Sequence, residues 1–114
     1  MSFSKSIAKE ALIDISEDAS NSKVVNTDGM ILTGIIFPAA MTGTAVTFDY
    51  SLDETAFYDV VETNGTEVSY TVSAGNVVRV EPSTWHFASA GYLRITSNGT
   101  EAADRKITLI FRAS

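Results

Sequence analysis

Apolar side chains recur at every second position over several short stretches of the chain. From Thr44 to Leu52, the residues Val46, Phe48, Tyr50 and Leu52 fall on one side, and Ala45, Thr47, Asp49 and Ser51 on the other. A strand turns successive side chains to opposite faces, so this rhythm describes a sheet with one face in a core and one in water. The stretch Glu67–Ser73 repeats it, with Val68, Tyr70 and Val72 set against Glu67, Ser69, Thr71 and Ser73. The stretch Arg105–Arg112 turns Ile107, Leu109 and Phe111 inward. Lys106, Thr108, Ile110 and Arg112 then point outward, with Ile110 an apolar exception.

Six further segments carry the β-branched and aromatic residues that favour strands: Ala11–Ile15, Lys23–Asn26, Ile31–Phe37, Phe57–Thr63, Asn76–Glu81 and Gly91–Ser97. Turn signals separate them. Asn64-Gly65 lies between two strand patterns and reads as a hairpin, since both residues tolerate positive φ. Asp28-Gly29, Ala74-Gly75 and Asn98-Gly99 mark other turns, and Pro38 and Pro82 each close a strand. About nine strands spaced roughly 8–12 residues apart are the pattern of a sandwich. The expectation is an all-β fold: a single jelly-roll-like β-sandwich of about eight to nine antiparallel strands with an N-terminal arm. Helix is expected only as one turn at Ser6–Leu12 and as a short 3₁₀ turn at Ser83–Phe87 after Pro82.

A chain of 114 residues suits one domain. Residues 1–20 are polar in tone and run into the flexible-looking Ser16–Ser22, so they are expected to form the arm, with residues 21–114 as the sandwich. The arm is either loose or ordered on a neighbour, and Leu12, Ile13 and Ile15 make little sense on a free tail.

Composition narrows the chemistry. There is no cysteine, which excludes disulfides, thiolate metal sites and a cysteine nucleophile. A single histidine cannot supply a three-histidine metal site. The net charge of −6 is a poor match to a nucleic-acid backbone, and no nucleic acid is expected as a partner. Charge is uneven: residues 1–70 carry 11 acids and 3 bases, residues 71–114 carry 3 acids and 5 bases. Complementary patches of this kind can steer assembly. The longest apolar run, around Met30 to Met41, is broken by Thr33, Gly34 and Pro38, far short of the ~18 residues of a membrane helix. The first residues lack the apolar stretch and small-residue cleavage site of a secretory signal, so synthesis in a reducing cytoplasm is expected.

No motif carries a reaction. His86 would need a nucleophile and an orienting acid, and its neighbours Trp85 and Phe87 suggest a packed corner or a contact surface instead. Asp49–Glu54 resembles the start of a calcium loop, but the glycine expected at the sixth position is missing and the twelfth position is Val60. Asn64-Gly65-Thr66 and Asn98-Gly99-Thr100 fit a glycosylation sequon and read better as turns. Acidic neighbours such as Asp59 with Glu62, or Glu101 with Asp104, are unremarkable in an acidic chain. No catalytic residue, cofactor or metal ligand is assigned. The candidate interaction surface comprises Leu12, Ile13, Ile15, Tyr58, Trp85, His86, Phe87 and Tyr92. Exposed aromatics among them would suit protein or sugar.

Three segments, Leu32–Val60, Asn64–Pro82 and Gly91–Arg112, together resemble a family of small β proteins encoded by tailed bacteriophages and prophages. The resemblance lies in Gly34-Ile35 with Pro38, Thr42-Gly43-Thr44, Thr47-Phe48, Ser51 and Asp53, then Asn64-Gly65, Tyr92-Leu93-Arg94-Ile95 and the closing strand from Arg105. These motifs mark turns and core faces. The chain departs from the pattern at Glu54, where the commoner form has glycine after the aspartate. The resemblance implies a non-enzymatic virion structural protein on the capsid surface, a decoration or cement protein. Its implied partners are the major capsid protein or other virion proteins, and its implied assembly is a homotrimer. A tail- or neck-associated part, and a carbohydrate-binding or adhesion module that takes a glycan, are the alternatives.

Overall fold

The structure, a computed structural model, describes residues 8–113. Nine strands form two antiparallel sheets packed face to face: β1 (Ala8–Ile15), β2 (Val25–Asn26), β3 (Met30–Ile36), β4 (Ala45–Ser51), β5 (Tyr58–Asp59), β6 (Ser69–Thr71), β7 (Val77–Arg79), β8 (Tyr92–Ser97) and β9 (Arg105–Ala113). The first sheet has the order β1-β9-β3-β7. The second has β2-β8-β4-β5, with β6 also paired to β4. The chain thus crosses between sheets at β1–β2, β2–β3, β3–β4, β6–β7, β7–β8 and β8–β9, the winding of a jelly roll. At the β2–β3 crossing, Asp28 and Gly29 both have positive φ, 56° and 77°, as a tight type I′ reversal requires.

The inner faces follow the period-two reading where strands are long. Ile107, Leu109 and Phe111 of β9 pack between the sheets with Ile13 and Ile15 of β1, Leu32 and Ile35 of β3, Val46 and Phe48 of β4, and Leu93 and Ile95 of β8. We expect Leu109→Ala to lower the free energy of unfolding by about 2–5 kcal/mol in a denaturant titration, because the side chain is fully buried and a cavity would remain. The Asn64-Gly65 hairpin forms as expected, but with only Gly65 at positive φ (87°). Gly65 N–H donates to Glu62 C=O and Glu62 N–H to Thr66 C=O, so the loop has three residues and not two.

Several expectations about faces are corrected. Leu52 is exposed, because β4 stops at Ser51, whose hydroxyl accepts the Asp53 and Glu54 N–H groups and starts a turn. Glu54, where the resembling family has glycine, sits in this turn at φ 69°. Asp49 and Ser51, expected on the wet face, are buried. Asp49 is held there by Arg94 at 2.9 Å, and the Arg94 guanidinium in turn lies over the Phe57 ring at 4.3 Å.

The N-terminal expectations change more. Residues 8–12 are strand and not a helical turn, and residues 1–7 of the expected arm lie outside the described residues. From Ala8 to Ile15 the chain pairs with β9 in eight consecutive register positions. Ile13 and Ile15 are core residues and so not part of any contact surface. Beyond β1, the Asp18 N–H donates to Glu101 C=O, the Glu101 N–H to Ala19 C=O and the Ser97 N–H to Ser20 C=O. Residues 8–20 are therefore continuous with the sandwich, and removing them would open its core.

The connector after β7 behaves as its sequence suggests. Pro82 starts a single α-turn, α1 (Pro82–Trp85), and a 3₁₀ turn, His86–Ala88, follows. Both turns pack against β3.

Candidate functional site

An apolar concavity lies where this connector meets the β5 segment. Two open hollows of about 300 Å³ each share Val60, Val61 and Phe87. Tyr50, Tyr58 and Asp59 line one, and Glu62, Thr63, Ser83 and Thr84 line the other. Tyr58, Phe87 and Val61 stand out from this cleft at 66%, 54% and 51% exposure. Three protruding apolar side chains on one concavity make a contact surface, whereas exposed apolar residues scattered singly would need no explanation.

A set of aromatic contacts lies under the cleft. The Phe48 and Trp85 rings meet edge to face at 4.8 Å in the core. Phe87 stacks on Trp85 at 6.3 Å and meets Tyr50 edge to face at 5.1 Å. Trp85 Nε1 donates to the Tyr70 hydroxyl at 3.0 Å. Burial pushes the Tyr70 phenol above its ordinary value, so it stays neutral and available as that acceptor. The Tyr50 hydroxyl donates to the Ala90 carbonyl. Its ring can lie so close to the chain only because residue 91 is glycine: at φ 133°, a Cβ there would come within 2.6 Å of the Tyr50 hydroxyl.

Asp59 brings the one carboxylate to the Tyr58 side. It faces Asp49 across the β4–β5 pair. A hydrogen bond to Asp49 and repulsion from its charge push the Asp59 carboxyl above its ordinary value. Asp59 therefore holds its proton to a higher pH than a lone aspartate. Its neighbour Asp53 goes the other way. Hydrogen bonds from the Ala56 and Thr55 N–H groups and the Ser51 hydroxyl hold its carboxyl below the usual value, which stabilises the turn beside the cleft.

Of the residues singled out from sequence, Tyr58 and Phe87 meet in this cleft. His86 is exposed on the adjoining turn, and no hydrogen bond joins its ring to a serine or a carboxylate among the described residues. Trp85 is fully buried and acts as the cleft's foundation, a correction to its place on the contact surface. Tyr92 is half-buried on β8, out of step with the inward Leu93 and Ile95, and so lies on the outer face of the second sheet. Leu12 is exposed on the outer face of the first sheet, far from the cleft in topology. The sequence reading missed Val61 and gave Tyr50 to the core. Their signal was the break in alternation at Val60-Val61, two adjacent β-branched residues that cannot both face inward.

A second polar cluster has a structural character. Glu101, unremarkable in sequence, is fully buried. It accepts hydrogen bonds from the Thr42 and Gly43 N–H groups at 2.8 Å each, the Ser97 hydroxyl at 2.8 Å and Arg105 Nε at 2.9 Å. Burial alone would push its carboxyl up. Those four donors outweigh burial and hold it below its ordinary value. All its oxygens are engaged, so the cluster ties the β3–β4 loop to the β8–β9 connection and leaves nothing free for a ligand. No group of three or more metal-ligating side chains occurs among the described residues.

No family model and no curated protein matches this sequence. Among solved structures, the chain is similar to the crystal structure of the Yersinia pseudotuberculosis-derived mitogen, with 6% identity over 96% of this chain and 88% of that one, at a TM-score of 0.47. A likeness at that level carries no argument about what this chain does.

Proposed function

We propose that the chain is a non-enzymatic virion structural protein that decorates a capsid surface, works as a symmetric homo-oligomer, and grips the shell through the Tyr58–Phe87 cleft. The observation that carries the binding role is the cleft itself: apolar side chains held out to solvent over a fixed aromatic base. Such preformed surfaces lose little conformational entropy on docking, and aromatic anchors dominate binding energy. The virion as partner follows from the family resemblance. Many copies bound on one shell turn modest single contacts into strong avidity.

The test is co-sedimentation of the full chain with shells assembled from the major capsid protein of the phage that encodes it. Saturable binding is expected. The Tyr58→Ala and Phe87→Ala substitutions together should weaken it by about tenfold or more, as loss of two aromatic anchors does elsewhere. Shells that take up none of the protein would reject the decoration role.

A sugar-binding role is the second reading. It is favoured by one observation, the Asp59 carboxyl beside Tyr58 on the same cleft, which pairs an acceptor for hydroxyl groups with an aromatic face. A glycan array separates the two readings, since a hit abolished by Tyr58→Ala belongs to the second alone.

A further inference from the structure

The outer face of the first sheet carries an apolar row that no described residue covers. The register sets Leu12, Thr108, Ile36 and Val77 side by side across β1, β9, β3 and β7. Each alternates with a residue of the inner face, namely Ile13, Leu109, Ile35 and Val78, so all four point outward. The two ends of the row protrude most, Leu12 at 68% and Val77 at 58% exposure. The next row is Glu10, Ile110, Gly34 and Arg79, and its Ile110 joins the three apolar side chains of the first row.

The charges on this face are divided by strand. Glu10 and Asp14 lie on β1 at one edge and Arg79 on β7 at the other, with Lys106, paired to Asp14 at 3.8 Å, and Arg112 on β9 between them. Neither Glu10 nor Arg79 makes an ion pair among the described residues. They cannot reach each other, because three strand spacings of ~4.8 Å separate them by about 14 Å.

A second copy of the chain satisfies both features at once. A two-fold axis lying in the face and parallel to its strands carries β1 over the partner's β7 and β9 over the partner's β3. Leu12 then meets the partner's Val77, and Thr108 meets the partner's Ile36. Glu10 meets the partner's Arg79, and symmetry makes each contact twice. A partner of uniform charge would match one edge and be repelled by the other. We propose that this face joins two copies of the chain in an isologous dimer. Its symmetry is two-fold, in place of the trimer that the family resemblance implies, and it is independent of the aromatic cleft.

Sedimentation equilibrium of the full chain over a micromolar concentration series tests this, with circular dichroism as the check on folding. A reversible monomer–dimer equilibrium is expected. Leu12→Glu should raise the dissociation constant by about tenfold or more, since it buries two charges in the row. Glu10→Arg and Arg79→Glu should each weaken the dimer by about tenfold, through like charges in two symmetric contacts, and the two together should restore it to within about threefold. Phe87→Ala should leave the dimer intact, so shell binding and dimerisation fail separately. A monomer or a trimer at every concentration, a dimer indifferent to Leu12→Glu, a charge swap without rescue, or loss of the dimer in Phe87→Ala would each overturn the assignment.

Discussion

Replacing Glu101 by alanine is expected to cost the fold about 3–5 kcal/mol at neutral pH, measured by denaturant titration, because it leaves a buried cation without its partner. The Arg105 side chain is only 16% exposed and its Nε bonds the carboxylate directly. The Thr42 and Gly43 N–H groups and the Ser97 hydroxyl would lose their acceptor at the same time. No added side chain can repair the site from the other direction. A Cβ on Gly43 would fall within 1.9 Å of Ser97 Oγ and 3.2 Å of Glu101 Oε2, so the loop must approach as bare backbone.

The same residue makes the protein acid-sensitive. The folded carboxyl titrates below its usual 4.5, so the unfolded chain takes up this proton at the higher pH. The contribution of Glu101 is thus fully present above about pH 4.5. It declines as the pH falls from there through the folded value. Denaturation midpoints of the wild-type protein should therefore fall on acidification, and a Glu101→Gln chain, less stable at pH 7, should show a shallower fall over that range.

Replacing Trp85 by alanine is expected to cost about 3–5 kcal/mol, read as a drop of roughly 10 °C or more in Tm. Trp85 is the largest fully buried side chain. It fills the end of the core against Phe48, and its loss also removes the donor to Tyr70 and the ring on which Phe87 stacks. This substitution therefore cannot probe ligand contact, since it damages the base of the cleft before it touches any ligand. Trp85→Phe is the informative companion. It keeps an aromatic filler and forfeits the hydrogen bond, so it should cost about 1 kcal/mol from that bond together with a smaller packing loss.

How much could be read in advance depended on whether the controlling interaction was local. The inner face of β9 was legible at Ile107, Leu109 and Phe111 because a long strand between two neighbours keeps a strict alternation. Six further strands were legible from their β-branched and aromatic content, and the turns from glycine, asparagine, aspartate and proline signals. The rhythm failed at the end of β4, where Ser51 diverts the backbone and carries Leu52 into solvent. It failed at Asp49, whose burial depends on Arg94, a neighbour in the sheet but 45 residues away in the chain. Ile13 and Ile15 read as parts of an arm since their polar surroundings are local and their partner strand, β9, is far away in the sequence. The cleft was half legible: Tyr58 and Phe87 were the aromatics with no clear inward place, while Val61 and the supporting role of Trp85 depend on how the connector meets the β5 segment. Glu101 left no trace in the sequence: Ser97 and Arg105 each lie four residues from it, but the Thr42 and Gly43 N–H groups that complete its site come from the distant β3–β4 loop.

The pairing of β1 with β9 has a consequence for how the molecule is made. The first described strand and the last are neighbours, and β9 also separates β1 from β3. During synthesis, Ala8–Ile15 and Met30–Ile36 must each wait with an open edge until Arg105–Ala113 leaves the ribosome, and loop closure over the long segment between β1 and β9 makes that step slow. A message truncated before Arg105 would yield a polypeptide with two orphaned sticky edges, a substrate for chaperones and proteases and not a shorter working protein.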